Sequence, residues 1–372
     1  MSKEKWRVPK LRFPGFTEDW EQRKLSDILK VNSGKDYKHL EQGDIPVYGT
    51  GGYMLSVNES LSNIDAIGIG RKGTIDKPQY LKAPFWTVDT LFYLTALDKH
   101  SILFLYYLMQ LMPWKKFDES TGVPSLSKTT IDNINGYVPS NPKEEELISA
   151  LFNQLDKSIT LHQRKLNNLK LKKKALLQKL FPKNGERYPE LRFPGFTDAW
   201  EQRKFGELFI LKSGVAFKLS EYTKTGIPII NGESIKAGKI SLEKINYLPN
   251  EYQYKYQECL LFPGDIVLGL NRPIIDGTLK ISRIPADIKK SLLYQRAGKI
   301  IFKVNMDENF TYQLLSKEVL TFTKKEAVGS DQPFITTTKL NKWDLYFPVK
   351  DKERRNIGSL FNNIDNIITL HQ

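Results

Sequence analysis

The stretch LRFPGFTEDWEQRK at residues 11–24 recurs as LRFPGFTDAWEQRK at residues 191–204. A second repeat pairs LFNQLDKSITLHQ, which begins at Leu151, with LFNNIDNIITLHQ, which begins at Leu360. The first pair is offset by 180 residues and the second by 209, so the second copy holds 29 additional residues between its repeated ends. A repeat of this length indicates two whole domains that share their borders and differ in their interiors.

The composition favours a soluble protein of two domains. The chain has 372 residues, of which 40% are hydrophobic and 26% are charged, and these proportions are typical of globular proteins. The N-terminal sequence MSKEKWRVPK is charged and no apolar stretch follows it, and the longest apolar run, residues 102–112, is too short to span a bilayer. We therefore expect a cytoplasmic protein that does not enter a membrane.

The net charge of +14 requires a physical explanation. A basic surface attracts phosphates and releases their counterions, so nucleic acid is the leading candidate partner. The alternative is a protein that is basic without having a nucleic-acid role.

A long helix is predicted between Pro142 and Pro182, because residues 143–180 contain neither glycine nor proline. A helix of these 38 residues would be about 57 Å long and could hold two domains apart. A mostly apolar stripe within it repeats at alternating spacings of four and three, which indicates a coiled-coil seam. Its members are Ile148, Phe152, Leu155, Ile159, His162, Leu166, Leu169, Lys173, Leu176 and Leu180. Under the 209-residue offset the stripe recurs at Ile357, Phe361, Ile364, Ile368 and His371.

The segments at residues 20–141 and 200–350 are predicted to mix strands with helices. Runs of β-branched and aromatic residues between glycine turns predict strands at residues 45–48, 227–230 and 264–268. Helices are predicted at residues 101–112, which Pro113 ends, and at about residues 308–325. A series of parallel βαβ units is not evident.

The sequence carries no recognisable catalytic motif. Gly68, Gly70 and Gly73 spell GxGxxG, but Pro78 follows too soon for the helix that a dinucleotide site requires. There is no GxxxxGK[ST] loop for ATP, and no Pro-Pro pair of the kind with which an adenine methyltransferase grips a flipped base. The single cysteine, Cys259, lies in the apolar sequence ECLLF and is predicted to be a buried thiol rather than a nucleophile.

The repeated borders LRFPGFTxxWEQRK and LFxxLDxxITLHQRKL resemble those of the specificity subunit of type I restriction-modification systems, and the likeness spans nearly the whole chain. Further segments similar to that family are PVYGTGG at residues 46–52, GRKGT at residues 70–74 and GLNRP at residues 269–273. The resemblance implies an α+β fold with two pseudo-symmetric target recognition domains, separated by long conserved helices that pair as an antiparallel coiled coil.

Four segments follow from the resemblance. They are a first target recognition domain at residues 1–142, a central spacer helix at residues 143–182, a second target recognition domain at residues 183–350 and a C-terminal helix at residues 351–372. The repeat would continue as RKL after Gln372, so the last helix is expected to be shortened, by design or because the sequence is cut.

The resemblance also implies a non-catalytic, sequence-specific subunit that reads a split target in double-stranded DNA. It would recruit two modification methyltransferase subunits, which bind S-adenosylmethionine, and nuclease-translocase subunits, which use ATP and Mg²⁺. No cofactor or metal is expected on this chain itself. Two other classes remain open: a self-contained nucleic-acid methyltransferase or nuclease with unrecognised motifs, and a basic coiled-coil assembly protein.

Base-reading residues are expected on loops of the variable interiors, since base edges specify sequence and phosphate contacts only position the protein. Five glycines would let the backbone of the first domain approach DNA closely: Gly49, Gly51, Gly52, Gly70 and Gly73. Amides and guanidinium groups in the second domain could read adenine and guanine. The candidates in the first domain are Lys35, Tyr37, Lys38, Tyr48, Thr50, Arg71 and Lys72. Those in the second are Lys218, Asn231, Ser234, Asn271, Arg272, Gln295 and Arg296.

The repeated frame has a different expected role. Its residues should pack each domain's entrance against the base of a helix, or alternatively dock the methyltransferase subunits. They are Phe13, Pro14, Phe16 and Trp20 in the first copy, and Phe193, Pro194, Phe196 and Trp200 in the second.

Overall fold

A computed structural model describes residues 9–97, 99–183, 185–326 and 333–371. The chain divides into two compact units, Met1–Leu161 and His162–Gln372, and each combines helices with small sheets, as predicted. The division falls inside the long helix, so that helix contributes to both units. No helix among the described residues has the length and apolar character needed to cross a bilayer.

The strands of the first unit are short and mostly antiparallel. Their bounds are β1 Glu21–Lys24, β2 Leu29–Ser33, β3 Gln42–Gly49, β4 Gly52–Val57, β5 Ala66–Gly70, β6 Gln79–Leu81, β7 Trp86–Thr87, β8 Leu91–Ala96 and β9 Asn135–Val138. They form sheets with the orders β2-β8-β5-β6, β4-β3-β7 and β1-β9, and only the β3-β7 pair among them is parallel. The strand predicted at residues 45–48 lies inside β3.

The helices of the first unit are α1 Leu25–Ile28, α2 Ile102–Leu111, α3 Lys128–Asp132 and the first part of α4 Pro142–Lys179, which continues into the second unit. Helix α2 begins after Ser101, whose hydroxyl accepts a hydrogen bond from Phe104 N, and it ends before Pro113, as predicted. Its apolar residues Leu105 and Met109 are fully buried against the β2-β8-β5-β6 sheet and form the main core of this unit. Helix α4 confirms the long helix expected from the sequence.

The second unit repeats this arrangement with more strands. Their bounds are β10 Glu201–Lys204, β11 Phe209–Ser213, β12 Ile227–Ile230, β13 Tyr247–Leu248, β14 Leu260–Leu261, β15 Ile266–Gly269, β16 Ile274–Ile275, β17 Thr278–Leu279, β18 Ile281–Arg283, β19 Ser291–Leu293, β20 Ala297–Phe302 and β21 Asp344–Phe347. The sheet β11-β20-β15-β18 corresponds to β2-β8-β5-β6, and β13-β12-β19 corresponds to β4-β3-β7, with β14 added at its edge. The strand predicted at residues 227–230 is β12, and most of the one predicted at residues 264–268 lies in β15.

The helices of the second unit are α5 Phe205–Leu208, α6 Tyr252–Lys255, α7 Glu308–Glu326, α8 Thr337–Asn341 and α9 Asp351–Leu370. Helix α7 confirms the prediction at residues 308–325. Its buried face, which includes Phe310, Leu314 and Leu315, packs in one core with Trp200 and Phe361. This core joins the frame, α7 and α9 into one hydrophobic body.

Equivalent residues of the two units can be matched through their backbone hydrogen bonds. Each bond is written from the N–H donor to the carbonyl acceptor. Gly34 to Leu91 matches Gly214 to Ala297, and Val88 to Tyr48 matches Tyr294 to Ile230. Arg71 to Thr90 matches Leu270 to Arg296, and Gly73 to Pro124 matches Arg272 to Pro333. The offset is 180 residues at Gly34, 182 at Tyr48 and 199 at Arg71. Most of the 29 extra residues therefore lie between β12 and β15.

Within the second unit, residues 162–181 pair with α9. The contacts are His162 with His371, Lys173 with Asp365, and Phe181 with Phe361. Partner numbers fall as the numbers along the first segment rise, so the two segments run antiparallel, as predicted. The Lys173 ammonium lies 2.6 Å from an Asp365 carboxylate oxygen, which explains how a lysine occupies a seam position.

A buried ion pair ties each repeated frame to the first turn of a helix. Arg12 donates two hydrogen bonds to Glu144, at 2.9 and 2.7 Å, and Arg192 donates two to Glu353, at 2.7 and 2.9 Å. Both glutamates are 1% exposed. A buried carboxylate without its partner is strongly unfavourable, so the frame and the helix start must be in place together.

The frame aromatic residues pack as expected, but the frame prolines do not. Trp200 is fully buried, Phe193 packs against the same core, and Trp20 stands edge-on to a phenylalanine of α2. Pro14 and Pro194 are exposed, so the prediction that they pack was wrong. Each proline lies one residue before a glycine with positive φ, in a turn that points away from the core.

Helix α9 passes close to the start of α7 at Gly358. A methyl group there would lie 2.3 Å from Asp307 Oδ1, the atom that caps α7 by accepting from Phe310 N. The equivalent residue of α4 is Ser149, whose hydroxyl lies 3.4 Å from that of Ser101, the cap of α2. The longer capping side chain, that of Asp307, thus faces a glycine in α9, whereas the shorter one, that of Ser101, faces a serine in α4.

We expect Glu353→Ala to destabilise the protein by about 3–5 kcal/mol, because it leaves the Arg192 guanidinium, whose side chain is only 14% exposed, without its carboxylate. Urea unfolding followed by circular dichroism measures this loss. The matched control is Glu258→Ala, which removes an ion pair with Lys212 whose glutamate is 84% exposed and should cost less than about 1 kcal/mol. Equal costs for the two substitutions would show that the buried pair does not hold the frame.

Candidate nucleic-acid interface

In the first unit, several predicted contact residues lie on loops that meet where strands end. Arg71 N and Lys72 N both donate to Thr90 O, at 2.8 and 3.3 Å, which joins the loop after β5 to the loop before β8. Lys35 N donates to Thr87 O, at the end of β7 and directly before that second loop, at 2.8 Å. Backbone hydrogen bonds thus bring three candidate cations to one part of the unit.

The turn after β3 joins this group. Val88 N donates to Tyr48 O at 3.0 Å, and a methyl group at Gly73 would lie 3.6 Å from Thr50 Oγ1. Gly73 has a φ of 92 degrees, a backbone conformation that residues with a side chain rarely adopt. The structure therefore places Tyr48 and Thr50 beside the loop that carries Arg71 and Lys72.

The remaining first-unit candidates, Tyr37 and Lys38, follow Lys35 on the next stretch of chain. Tyr37 is half-buried against the small core around Val47 and Trp86, so its ring has a packing role. Lys38 is exposed.

A cleft of about 390 Å³ lies beside Arg71 and Lys72. Lys128, at the start of α3, and Glu119 also line it, and the Arg71 guanidinium lies 5.9 Å from the ring centroid of Phe92. Three cations around a cleft can bind phosphates, and an arginine held by an aromatic ring can present its fork to guanine. Sequence reasoning missed Lys128, because only the fold brings residues 119–128 against the Arg71 loop.

The second unit gathers most of its candidates in the same way. Leu270 N donates to Arg296 O at 3.0 Å, which joins the loop after β15, with Asn271, to the loop before β20. A methyl group at Gly232 would lie 2.8 Å from Arg296 O, so the turn after β12, which holds Asn231, is adjacent. Arg272 follows Asn271 directly and is exposed.

Asn231 and Ser234 stabilise the turn after β12. Asn231 Oδ1 accepts hydrogen bonds from Glu233 N, from Ser234 N and from the Ser234 hydroxyl, at 2.8, 2.9 and 3.0 Å. Ser234 is buried. Reading a base through these oxygen atoms would require the turn to open, so their place in the structure is that of a scaffold.

Gln295 and Lys218 lie near the loop that follows β11. Gln295 N donates to Val215 O at 3.0 Å, and the Gln295 side chain is exposed. Lys218 is exposed three residues further along, where its backbone N–H donates to Glu221 at 2.6 Å.

In the loops after β5 and β15, in those before β8 and β20, and at the starts of α3 and α8, the two units place positive charge at different positions. Arg71, Lys72, Gly73, Thr90 and Lys128 in the first unit correspond to Leu270, Asn271, Arg272, Arg296 and Thr337 in the second. No position in this set carries a cation in both units. Two surfaces built this way present different donors to whatever they contact.

The two sequence motifs judged unreactive have structures that agree with that interpretation. Gly68 and Gly70 lie in β5, and the element that follows Gly73 is strand β6 rather than a helix, so no helix N-terminus faces this turn. The Cys259 thiol is buried, as predicted, and burial raises its pKa. Among the described residues, no three histidine, cysteine, aspartate or glutamate side chains are grouped as a metal site would require.

The family model of the type I restriction modification DNA specificity domain matches the chain twice, at residues 17–171 and 197–372. The chain belongs to this family. Each match begins in one repeated frame and extends into one long helix, so the two specificity domains correspond to the two copies seen in the sequence.

Relatives and solved structures agree with this assignment. The chain is 28% identical over 397 residues to the type I restriction enzyme MjaVIII specificity subunit of Methanocaldococcus jannaschii, with 97% of this chain and 88% of that protein covered. It is 26% identical over 185 residues to the EcoAI specificity subunit of Escherichia coli, with 49% and 30% covered. The crystal structure of a type I restriction-modification S subunit from M. genitalium has a TM-score of 0.69 at 15% identity, with 98% and 94% covered. This last likeness shows a common fold.

We expect Asn231→Ala to loosen the turn after β12, because the substitution removes the acceptor of three hydrogen bonds. Hydrogen–deuterium exchange should then be faster at the amides of Glu233 and Ser234, with a stability loss of about 1–3 kcal/mol. Gln295→Ala, which truncates an exposed side chain, is the control and should leave exchange at those amides unchanged. Slow exchange in the Asn231 variant would contradict the scaffold role.

Proposed function

We propose that each specificity domain reads one half of a split sequence in double-stranded DNA through the loops gathered at the ends of β5 and β15. The observation that carries this proposal is the relocation of cations between equivalent loop positions. Two domains with identical side chains on these loops would favour one repeated half-site. Different hydrogen-bond donors on equivalent loops favour two different half-sites. The net charge of +14 supports a salt-sensitive contribution from phosphate contacts.

The chain acts as a non-catalytic reader within a larger complex. Two modification methyltransferase subunits, carrying S-adenosylmethionine, would methylate adenine at the half-sites, and nuclease-translocase subunits, using ATP and Mg²⁺, would carry out cleavage. A cytoplasmic location is part of this proposal, because a reader of duplex DNA must reach that DNA.

The competing function is that of a self-contained methyltransferase or nuclease. Incubation of the purified chain with DNA, Mg²⁺ and labelled S-adenosylmethionine distinguishes the two. We expect no methyl transfer or cleavage until methyltransferase and nuclease subunits are added. Turnover by the chain alone would overturn it.

The central test is the map of methylated adenines in host DNA. We expect methylation within one bipartite motif whose two halves differ in sequence, and we expect it to vanish when this gene is deleted. A single undivided motif, or methylation that persists after the deletion, would contradict the proposed reading mode.

We expect Arg71→Ala to relax recognition at one base pair of one half-site, at a cost of about 1–3 kcal/mol, because a bidentate arginine contact to guanine is lost. Binding to a panel of oligonucleotides with single substitutions measures this effect. Lys157→Ala, an exposed cation on α4, is the control for loss of one charge. A uniform loss of affinity across the panel would show that Arg71 contacts a phosphate instead.

The repeated frames are the proposed docking surfaces for the two methyltransferase subunits. Their exposed residues occupy the same positions in both copies, and they include Leu11 and Pro14 in the first and Leu191 and Pro194 in the second. Identical surfaces are suited to identical partners.

We expect Leu11→Glu and Leu191→Glu each to remove one methyltransferase subunit from the complex, and the double substitution to remove both, because a charge opposes burial of an apolar contact. Native mass spectrometry of the reconstituted complex gives the subunit count. An exposed residue outside the frame, Leu219, changed to Glu provides the control. Full occupancy in the double variant would exclude the frame as the docking surface.

A further inference from the structure

A buried lysine lies next to the loop that follows β15 in the second unit. Lys280 is 6% exposed, and its ammonium donates to Asn271 O at 3.3 Å. No carboxylate of the described residues lies within 4.0 Å of that ammonium as an ion-pair partner. Burying a lysine is costly unless its charge is compensated, so a lysine in this position indicates that a negative group comes close when the protein acts.

The neighbouring strand is shaped to admit the lysine. A methyl group at Gly269, the last residue of β15, would lie 2.8 Å from Lys280 Cδ and 2.9 Å from its Cβ. The absence of a side chain at residue 269 therefore lets the Lys280 stem pass beside the strand. At the equivalent Gly70 of the first unit, a methyl group would instead meet the backbone oxygen of Thr74.

Further positive charge surrounds Lys280. Gly238 N donates to Ile281 O at 2.8 Å, which places the turn that follows Lys236 beside this strand. Burial and the charge of Lys236 lower the pKa of Lys280, and Arg272 acts in the same direction, whereas Glu233 opposes them. The local field is therefore suited to an anion.

The backbone of Arg272 is held in an unfavourable conformation. Its φ is 44 degrees, in the left-handed region that non-glycine residues rarely occupy. The Arg272 N–H donates to Pro333 O at 3.0 Å, and the preceding carbonyl, that of Asn271, accepts from Lys280. Such strain persists where surrounding contacts impose it, and it is concentrated at functional sites.

Among the described residues, the other non-glycine residue with positive φ is Asp276, and its conformation has a local explanation. It precedes Gly277 in the two-residue turn between β16 and β17, where positive φ is the normal conformation. Arg272 lies in no such hairpin turn. Its counterpart in the first unit is Gly73, which adopts positive φ without a side chain.

We propose that Arg272, Lys280 and Lys236 form a binding site for one phosphodiester group of the DNA backbone, present in the second specificity domain and absent from the first. Arg272 and Lys236 contact the phosphate oxygens, and Lys280 holds the Asn271 carbonyl that orients Arg272 while it supplies buried positive charge. A phosphate contact fixes the position of the domain along the duplex and carries no sequence information. This site rests on the proposed function, since it assumes that the second domain binds duplex DNA.

The test measures binding of the full chain to an oligonucleotide that carries the mapped bipartite motif, over a range of salt concentrations. We expect Arg272→Gly to weaken binding by at least about tenfold and to reduce the slope of log Kd against log salt by about 0.9, the value for one phosphate. The base preference at both half-sites should be unchanged. Lys280→Met, similar in shape, should have the same effects.

Controls separate loss of the site from loss of folding. Glycine accepts positive φ, so Arg272→Gly should keep or raise the thermal midpoint, as should Asp276→Gly, which should bind like wild type. Lys224→Met, which removes an exposed charge from the same unit, should leave affinity within about twofold.

A chemical change in the DNA gives an independent readout. A neutral methylphosphonate at the contacted phosphate should weaken wild-type binding, and the same change should have no further effect on Arg272→Gly. An unchanged salt slope in Arg272→Gly, or a loss confined to one base pair, would overturn the phosphate site. If wild-type protein shows no bipartite preference at all, the proposed function fails and not this site alone.

Discussion

Two buried arginine–glutamate pairs define the architecture of this protein. In each copy, a guanidinium from the LRFPGF segment meets a glutamate in the first turn of a long helix, with two hydrogen bonds and almost no access to water. The sequence between the two partners contains an entire α+β domain. Because neither charge is stable when it is buried alone, the pair requires the two ends of each domain to meet. That requirement leaves the interior free to vary, provided that its ends return to the same place.

The freedom of the interior is visible in how the loops are filled. Hydrogen bonds between the same backbone positions organise the ends of β5 and β15, yet the side chains attached to those positions differ in charge and shape. The backbone therefore fixes where a reading surface forms, and the side chains determine what that surface can recognise. The additional residues of the second copy lie mostly between β12 and β15. They are next to the loops proposed to contact DNA and outside the repeated frame. Insertions in this place can change recognition without disturbing the buried ion pair.

The repeats and the helical stripe were sufficient to predict the long helix, and the short β-branched runs predicted the α+β character of the interiors. The antiparallel pairing was implied by the resemblance to specificity subunits. Regular patterns of this kind reflect local physics, since a helix imposes its spacing on the sequence. The candidate site was less predictable. Asn231 and Ser234 have the polar side chains of base-reading residues, but they hydrogen-bond to each other and stabilise a turn. Lys128 was missed because its proximity to the Arg71 loop depends on a contact between segments distant in sequence. Lys280 is only nine residues from Asn271, and it was missed because it resembles an ordinary surface residue until its burial is known.

The contact between α9 and the start of α7 constrains how the two interiors could be exchanged during evolution. Asp307 has room only because Gly358 lacks a side chain, whereas Ser101 lies against Ser149. A genetic crossover that joined the second interior to the first helix would bring an aspartate against a serine in space that fits a glycine. Recombinants of this kind would fold poorly, although both parents fold well. Productive shuffling is therefore expected to transfer the helix start together with the interior that it covers.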